Sequence, residues 1–211
     1  MYVRDYMTEN VMTCKAETLV VDAQKLMHEH HIHRLPVMDG DKLVGIVTRT
    51  KLRDVAPSPA TSLSIWELNY LLSKMKVKEV MEKNVITCTP DTTIEDSAII
   101  AKSHGVGALP VVDNGKLVGI ITLTDVMNIF IEVLGFEKPY TRLHIRRSYI
   151  GKPLGEITST INAHGVEIMS MFSVTVPRTH EKDLIVRLKT NDPTQIVNDL
   201  RERGYTIEVS K

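Results

Sequence analysis

The sequence predicts a mixed α+β protein made of two copies of one β-α-β-β-α unit and a smaller third domain. Three observations predict this. The first part of the chain repeats itself at a constant offset, each copy alternates short strand-like patterns with longer helical ones, and the pattern changes from residue 140 onward. A chain of 211 residues is long enough for more than one domain, each with its own core.

Residues near the start of the chain recur later without any gap. Met7 corresponds to Met81, an offset of 74 positions, and the same offset aligns Cys14 with Cys88. The further matched pairs are Asn10 and Asn84, Val11 and Val85, Thr13 and Thr87, Thr18 and Thr92, Asp22 and Asp96, Pro36 and Pro110, Asp39 and Asp113, Lys42 and Lys116, Gly45 and Gly119, and Thr48 and Thr122. An internal repeat of this kind indicates two copies of one structural unit.

Each copy contains the same succession of predicted elements. In the first copy a short strand runs from Val11 to Cys14, a helix from about Leu19 to His31, and a strand from Leu35 to Met38. The tight turn Asp39-Gly40-Asp41 leads to a strand that ends at Thr48, where a second helix opens. The corresponding elements of the second copy are a strand from Val85 to Cys88, a helix from about Ile94 to His104, a strand from Leu109 to Val112, a turn at 113–115 and a helix from about Thr124 to Leu134.

The stretch from Gly119 to Asp125 is typical of a buried strand that turns directly into a helix. Thr122 stands at the helix N-cap position, and Asp125 follows three residues later. A hydroxyl, a carboxylate and free backbone N–H groups therefore meet at one helix start, an arrangement that can hold a sugar and a phosphate. The motif alone favours a simple capping box. The rest of the chain shifts the interpretation towards a binding site.

In both copies the segment Leu-Pro-Val, an apolar residue and Asp is followed by a turn, Lys-Leu-Val-Gly-Ile, an apolar residue, Thr and a helix. This pattern resembles the CBS domain, and the paired copies resemble a tandem CBS pair over about Val3 to Phe136. The resemblance implies two units packed sheet to sheet about a pseudo-twofold axis, with two equivalent clefts where adenine nucleotides or adenosyl compounds often bind. We expect the units at 1–55 and 77–136, a connector with an amphipathic helix at 56–76, and an ACT-like domain at 140–211.

The resemblance implies that the two clefts differ. The ribose-binding pattern of the family, Ser/Thr-x-x-Asp, is present at Thr122 to Asp125, which also places Thr124 at the nucleotide. The first copy has Thr48 followed by Lys51 at the matching positions. A carboxylate can accept hydrogen bonds from both ribose hydroxyls, whereas an ammonium accepts none. We therefore expect one good cleft and a degenerate second one, with Lys51 either reaching a phosphate or lying in solvent.

The resemblance also implies how the good cleft is lined. Its base-binding residues would be Met7, Met12 and Ile32 from the first copy and Ile120 from the second. Apolar side chains suit a purine face, and methionine adapts to flat ligands. His33 and Arg34 would contact phosphates, since arginine donors form a rigid fork and the second copy has Gly107 and Ala108 there. The alternatives are core packing for the apolar residues and an exposed strand-edge position for Arg34.

The connector opens with a loop rich in helix breakers at 56–62, followed by a capping-box pattern that begins at Ser64. The predicted helix has an apolar stripe with two aromatic neighbours: Ile65, Leu68, Leu72 and Met75, beside Trp66 and Tyr70. The stripe would pack on its own domain or on a second subunit. The run from Leu63 to Lys74, inside a CBS pair and before a small domain, resembles AcuB-type acetoin-utilisation proteins, which implies a role in acetoin or carbon metabolism.

From Tyr140 the predicted order is β-α-β-β-α-β, which is ferredoxin-like. The strands are predicted around His144 and at 166–176, 184–188 and 205–209, with helices that stop at Gly165 and Gly204. The pattern from 154 to 168 resembles an ACT domain, a family that commonly binds amino acids at a glycine loop before the first helix. Lys152 stands where that glycine is expected, so pairing through sheet edges is as good an interpretation as effector binding.

Composition and motifs exclude several other classes of protein. Lys+Arg and Asp+Glu number 26 each, so there is no global field that attracts nucleic acid or an anionic membrane. No signal core or bilayer-spanning segment is seen, and with two cysteines the reducing cytoplasm is the expected compartment. The histidine-rich run at 28–33 lacks zinc-protease spacing, because Ile32 occupies the position of the second histidine. We expect neither a metal nor a catalytic residue.

We therefore expect a cytoplasmic, homodimeric, non-catalytic regulatory protein. Its ligand would be AMP, ADP, ATP, NAD or S-adenosylmethionine, and it would signal through its dimer or through a regulated protein partner. The alternatives are a scaffold without a ligand and an amino-acid sensor that acts through the third domain. Neither a nucleic acid nor a membrane is an expected partner.

Overall fold

The computed structural model describes residues 1–54, 70, 73–136, 140–146, 154–178 and 180–210. These fall into two compact units, Met1–Val126 and Met127–Lys211. Most of the predicted connector helix, including Ile65, Trp66, Leu68 and Leu72, lies outside the described residues, as does the loop at 151–153.

The first copy forms a small three-stranded sheet with two helices. Its elements are β1 (Cys14–Lys15), α1 (Val20–Glu29), β2 (Arg34–Asp39), β3 (Lys42–Thr48) and α2 (Arg49–Asp54). Strand β1 is parallel to β2, and β2 is antiparallel to β3. The strand predicted from Val11 to Cys14 is therefore shorter and begins later than its pattern suggests, because only its end pairs with β2.

The second copy repeats this arrangement with a two-stranded sheet. Its elements are α3 (Val77–Val80), α4 (Ile94–Ser103), β4 (Ala108–Asp113), β5 (Lys116–Thr122) and α5 (Leu123–Val133). Strands β4 and β5 are antiparallel, with the same register shift near the middle as in the first copy. The strand predicted from Val85 to Cys88 is reduced to one parallel bridge between Cys88 and Val111.

A short segment of each copy pairs with a strand of the other copy. Thr8 of the first copy bridges Ile120 on β5, and the matching residue of the second copy, Glu82, bridges Ile46 on β3. The close approach requires glycine at Gly45 and Gly119, since a Cβ there would collide with the sulfur of Met81 or Met7 respectively. Each incoming segment therefore lies across the strand that leads to the second helix of the other copy.

The unit Met127–Lys211 contains an antiparallel sheet with two helices. Its elements are β6 (Thr141–Arg146), α6 (Leu154–Ala163), β7 (Ile168–Thr175), β8 (Lys182–Leu188), α7 (Thr194–Glu202) and β9 (Thr206–Ser210). The strand order is β7-β8-β6-β9, and all neighbours are antiparallel. The predicted β-α-β-β-α-β succession is observed.

Alternating residues of this sheet and one face of each helix form a single buried core. It comprises Leu143, Ile145, Ile157, Ile161, Leu184, Val186, Leu188, Ile196, Val197, Leu200, Tyr205 and Ile207. The core of the first copy has its own buried cluster, which includes Met27, Leu35, Val37, Val47 and Leu52. Within the described part of the chain, no helix combines the length and apolarity that a bilayer crossing needs.

Candidate functional site

A cavity of about 290 Å³ lies between the two copies in the unit Met1–Val126. It brings together these predicted nucleotide-binding residues: Met12, Ile32, His33, Arg34, Ile120, Thr122, Thr124 and Asp125. The cavity is at the small end of the range typical of ligand sites. Met7 is placed elsewhere, because its side chain packs against Gly119 on β5.

The polar end of the cavity is built by the start of helix α5. The Asp125 carboxylate accepts hydrogen bonds through Oδ2 from the backbone N–H and from the hydroxyl of Thr122, both at 2.8 Å. The backbone N–H of Asp125 donates to Thr122 Oγ1 at 3.1 Å. The capping box is therefore formed, and its two side chains also line the cavity. It fixes the carboxylate through Oδ2, while Oδ1 has no hydrogen-bond partner among the described residues.

The apolar walls come from both copies. Ile32 ends the turn after α1, and Ile120 lies on β5, where its carbonyl accepts from the Thr8 N–H at 2.9 Å. Met12 is 37% exposed, so its flexible side chain borders the cavity from the solvent side. Flat apolar surfaces on two sides and a fixed carboxylate at one end suit a ligand that has an aromatic ring and hydroxyl groups.

Arg34, the first residue of β2, supplies the positive charge. Its guanidinium lies over Gly107 of the second copy, where an added Cβ would fall 2.9 Å from Nη2. Burial lowers the pKa of Arg34 from its ordinary value, and the charge of Asp125 acts in the opposite direction. Across the described ranges Arg34 makes no ion pair, so its donors are available to an anion. His33 beside it is exposed and lines the same cavity.

Sequence reasoning missed part of the lining. Thr8, Asn10 and His31 also border the cavity, and Gly107 forms the floor under Arg34. The repeat could have predicted that Gly107 lies at the cleft, because Gly107 occupies the position equivalent to His33 in the alignment of the two copies. His31 has a left-handed backbone with φ of 52° at the end of α1, a feature that the sequence pattern does not reveal.

A second cavity of about 210 Å³ occupies the equivalent place in the other half of the pair. Thr48 and Ile46 line it, as Thr122 and Ile120 line the first, and Glu82 takes the place of Thr8. Lys51 is exposed and is not among its lining residues. Its backbone N–H donates to Thr48 Oγ1 at 3.2 Å, which is half of the capping box seen at Thr122.

Both cysteines are buried, free thiols. Burial raises the pKa of the Cys14 and Cys88 thiols to about 11, so both are neutral and poorly nucleophilic near neutral pH. Over the residues that the structure describes, no three His, Cys, Asp or Glu side chains are arranged to hold a metal ion.

The chain contains two repeated units, and a short segment of each pairs with a strand of the other around a cleft that holds a fixed carboxylate. This arrangement defines a tandem domain pair. The family model for the CBS domain matches residues 3–58 and 77–132, in agreement with the repeat. The chain therefore belongs to the CBS-domain family.

Curated relatives share the pair in different contexts. A CBS domain-containing protein of Dictyostelium discoideum is 32% identical over 134 residues, which cover 63% of this chain and 92% of that protein. An inosine-5'-monophosphate dehydrogenase of Korarchaeum cryptofilum is 38% identical over 122 residues, but these cover 57% of this chain and only 22% of the dehydrogenase. The similarity to such enzymes is thus confined to a fraction of their length.

Solved structures resemble the same part of the chain. A Vibrio cholerae structure assigned to acetoin utilization (AcuB) has 32% identity and a TM-score of 0.54, covering 65% of this chain and 95% of that one. The CBS domain pair of protein MJ0100, in complex with 5'-methylthioadenosine and S-adenosyl-L-methionine, has 27% identity and a TM-score of 0.52, covering 65% and 98%. CBSX2 in complex with AMP has 31% identity and a TM-score of 0.51, covering 63% and 97%.

Proposed function

We propose that this protein is a regulatory sensor that binds an adenine nucleotide or adenosyl compound in the cavity at Asp125. One observation carries the proposal. The Asp125 carboxylate is held rigidly by Thr122 through one oxygen, and its other oxygen is left for a ligand beside apolar walls and the Arg34 guanidinium. That this family binds AMP in one structural relative and adenosyl compounds in another supports the ligand class.

In the proposed complex each part of the ligand meets a matching group. Ribose hydroxyls donate to Asp125, the base lies between Ile32, Ile120 and Met12, and Thr124 lies near the phosphate, which Arg34 and His33 contact. Charge-assisted hydrogen bonds to a carboxylate or a guanidinium are about twice as strong as neutral ones. The Lys51 cleft would bind weakly or not at all, since it has no carboxylate.

We infer that helix α5 is the element through which a signal would leave the cavity. Helix α5 carries Asp125 in its first turn, and the carbonyls beyond its other end accept hydrogen bonds from Ser170 Oγ at 2.9 Å and Arg187 Nη1 at 3.0 Å. The aromatic rings of Phe136 and Phe172 also meet edge to face, 6.4 Å apart. A ligand would act by binding one arrangement of these elements better than another.

The finer assignments belong to the same proposal. The strand order of the third domain supports a ferredoxin-like, ACT-type fold. We propose domains at 1–55, 77–136 and 140–211 with a connector at 56–76. We infer a non-catalytic, cytoplasmic homodimer that acts on a partner protein. The likeness to the AcuB structure favours acetoin or carbon metabolism as its setting.

The test is isothermal titration of adenosine, AMP, ADP, ATP, NAD and S-adenosylmethionine into wild-type protein and the Asp125→Ala variant. We expect saturable binding at one site per chain that is lost in the variant. Asp96→Ala is the matched control, because Asp96 forms the same capping pair with Thr93 on α4, with contacts of 2.8 and 3.0 Å. Binding that survives in Asp125→Ala, or no binding by any compound, would contradict the proposal. The latter result would favour a ligand-free scaffold or an amino-acid sensor.

A further inference from the structure

The antiparallel sheet of the unit Met127–Lys211 has two faces of different character. The core formed with α6 and α7 takes Leu143, Ile145, Leu184 and Val186 from β6 and β8. Their neighbours along the two strands lie on the other face, since side chains alternate along a strand. These neighbours are Arg142, His144, Arg146, Asp183, Ile185 and Arg187. The second face is therefore rich in charge, and yet Asp183, Ile185 and Arg187 on it are buried.

Over most of this face, basic side chains lie beside carboxylates. His144 Nε2 lies 2.7 Å from Asp183 Oδ2, and His144 Nδ1 lies 3.5 Å from Glu208 Oε2. Arg146 Nη2 lies 2.9 Å from Glu208 Oε1. A buried carboxylate such as Asp183 requires a partner of this kind, because an isolated charge is costly to remove from water. The middle and one end of the face thus pair their acidic and basic groups.

The row of residues at the other end of the face has no carboxylate. Arg142 on β6 stands directly opposite Arg187 on β8 in the strand register. The outer positions of the row are serines, Ser170 on β7 and Ser210 on β9. Like charges directly opposite each other destabilise a sheet. Neither arginine makes an ion pair within the described residues, so the row holds two cations without a counter-charge from the sheet.

Arg187 is the buried member of the pair, with 9% of its surface exposed. Its Nη1 donates to the Gly135 carbonyl at 3.0 Å, and its guanidinium lies 5.1 Å from the ring centroid of Phe136. Its Nε–H is buried and has no hydrogen-bond partner among the described residues. Burial lowers the pKa of Arg187, and the charge of Arg142 lowers it further. An unpaired buried donor is costly, and more so on a charged group.

We propose that Arg142 and Arg187 together bind a small oxyanion, either a carboxylate or a phosphate. Such a ligand supplies both the acceptor that Arg187 Nε lacks and the negative charge that the row lacks. Guanidinium groups suit it, because their planar forks make paired hydrogen bonds to carboxylate and phosphate oxygens. Arg142 is half-buried, so the anion can approach from solvent on its side. All of these residues belong to the unit Met127–Lys211, so the inference stands whether or not the Asp125 cavity binds a nucleotide.

NMR titrations of the full chain with sodium phosphate, sodium acetate and sodium chloride, at one ionic strength, test the site. The Nε–H signal of Arg187 is the readout, because this group gains its partner only when the anion binds. We expect the signal to shift saturably with phosphate or acetate but not with chloride, and to exchange more slowly with water in the complex. The oxyanion that saturates the signal at the lower concentration identifies the ligand as a phosphate or a carboxylate.

The variant Arg142→Gln keeps a polar side chain but removes one of the two cations. We expect the oxyanion to bind at least about tenfold more weakly by the same Arg187 signal, since one of two charged donor groups is lost. The matched control is Arg146→Gln, on the same strand and the same face, where Glu208 already lies beside the arginine. The affinity for the oxyanion should change by less than about threefold in this control.

Thermal unfolding separates binding from a merely structural role of Arg142. In chloride, Arg142→Gln should be at least as stable as the wild type, because one of two opposed like charges is removed. Phosphate or acetate should raise the Tm of the wild type more than that of the variant. The inference is overturned if the Arg187 signal responds to neither oxyanion, or if Arg142→Gln binds as tightly as the wild type. A variant that is equally destabilised in all three salts would also overturn it, since Arg142 would then act in the fold alone.

Discussion

The two clefts of the pair share one backbone plan but differ at a few side chains. At Asp125 a complete capping box holds a carboxylate at the edge of a cavity of about 290 Å³. At Lys51 the box is half formed, the side chain lies in solvent, and the cavity has about 210 Å³. Arg34 borders both cavities, and the negative charge of Asp125 acts on it by raising its pKa against the effect of burial.

This difference shows how two copies of the same backbone come to form two clefts with different binding groups. The backbone supplies two helix starts with free N–H groups, and either could bind an anion. The side chains of the two copies then differ at the cavity: the second copy contributes the Asp125 carboxylate, and the first contributes Arg34. A ligand in contact with both groups would touch both copies, so its binding would depend on how the copies pack together.

The largest effect is expected when the Asp125 cleft is made like the Lys51 cleft. Asp125→Lys removes the acceptor for the ribose hydroxyls and places an ammonium near Arg34. Two charge-assisted hydrogen bonds contribute about 3–6 kcal/mol, so nucleotide affinity should fall at least about 100-fold in isothermal titration. Asp96→Lys, which breaks the equivalent cap on α4, should leave the affinity unchanged. Nucleotide binding retained in Asp125→Lys would show that the carboxylate does not distinguish the clefts.

Much of the fold could be predicted from the sequence because it repeats and because its periodicity is clear. The helices begin within about a residue of their predicted positions at Val20 and Ile94. The first strands at Cys14 and Cys88 are much shorter than predicted, because pairing with the neighbouring strand begins only at Cys14 in the first copy and is confined to Cys88 in the second. The succession of elements in the third domain also follows from alternating patterns, whereas its strand order depends on contacts between distant segments.

The candidate site could be predicted only in part. Thr122 and Asp125 belong to one local motif, so sequence spacing was enough to bring them together. Met7 is predicted at the base, but it is not among the residues that line the cavity, and its sulfur lies against Gly119. The contact between Met7 and Gly119 arises because the segment around Thr8 pairs with β5 of the other copy, and no local sequence pattern reveals such pairing. The reach of Arg34 across to Gly107 has the same origin.

An intermediate effect is expected from Gly107→Ala, which tests the position of Arg34. The new Cβ would lie 2.9 Å from Nη2 and 3.2 Å from Nη1, so the guanidinium has to move. We expect AMP and ATP to bind about tenfold more weakly and adenosine to bind as before, with a change in stability below about 1 kcal/mol. Gly155→Ala is the matched control, because a Cβ there meets no neighbour. Equal losses for adenosine and AMP would place the guanidinium away from the phosphate.

The smallest effect is expected from Lys51→Asp, which gives the Lys51 cleft the motif of the Asp125 cleft. The new carboxylate can accept from the Thr48 N–H and complete the capping box at the start of α2, where negative charge is favourable. We expect a gain of about 0.5–1 kcal/mol in chemical denaturation, with the denaturant slope unchanged.

The stoichiometry of nucleotide binding in Lys51→Asp should remain one per chain. The Lys51 cavity is smaller, and Glu82 lines it where Thr8 lines the Asp125 cavity, so an anionic ligand would meet an additional negative charge there. A stoichiometry of two would mean that one carboxylate alone separates the clefts. A stoichiometry of one would assign the asymmetry to Glu82 and the cavity shape together. Lys51→Asp combined with Glu82→Thr would then be the variant that opens the Lys51 cleft.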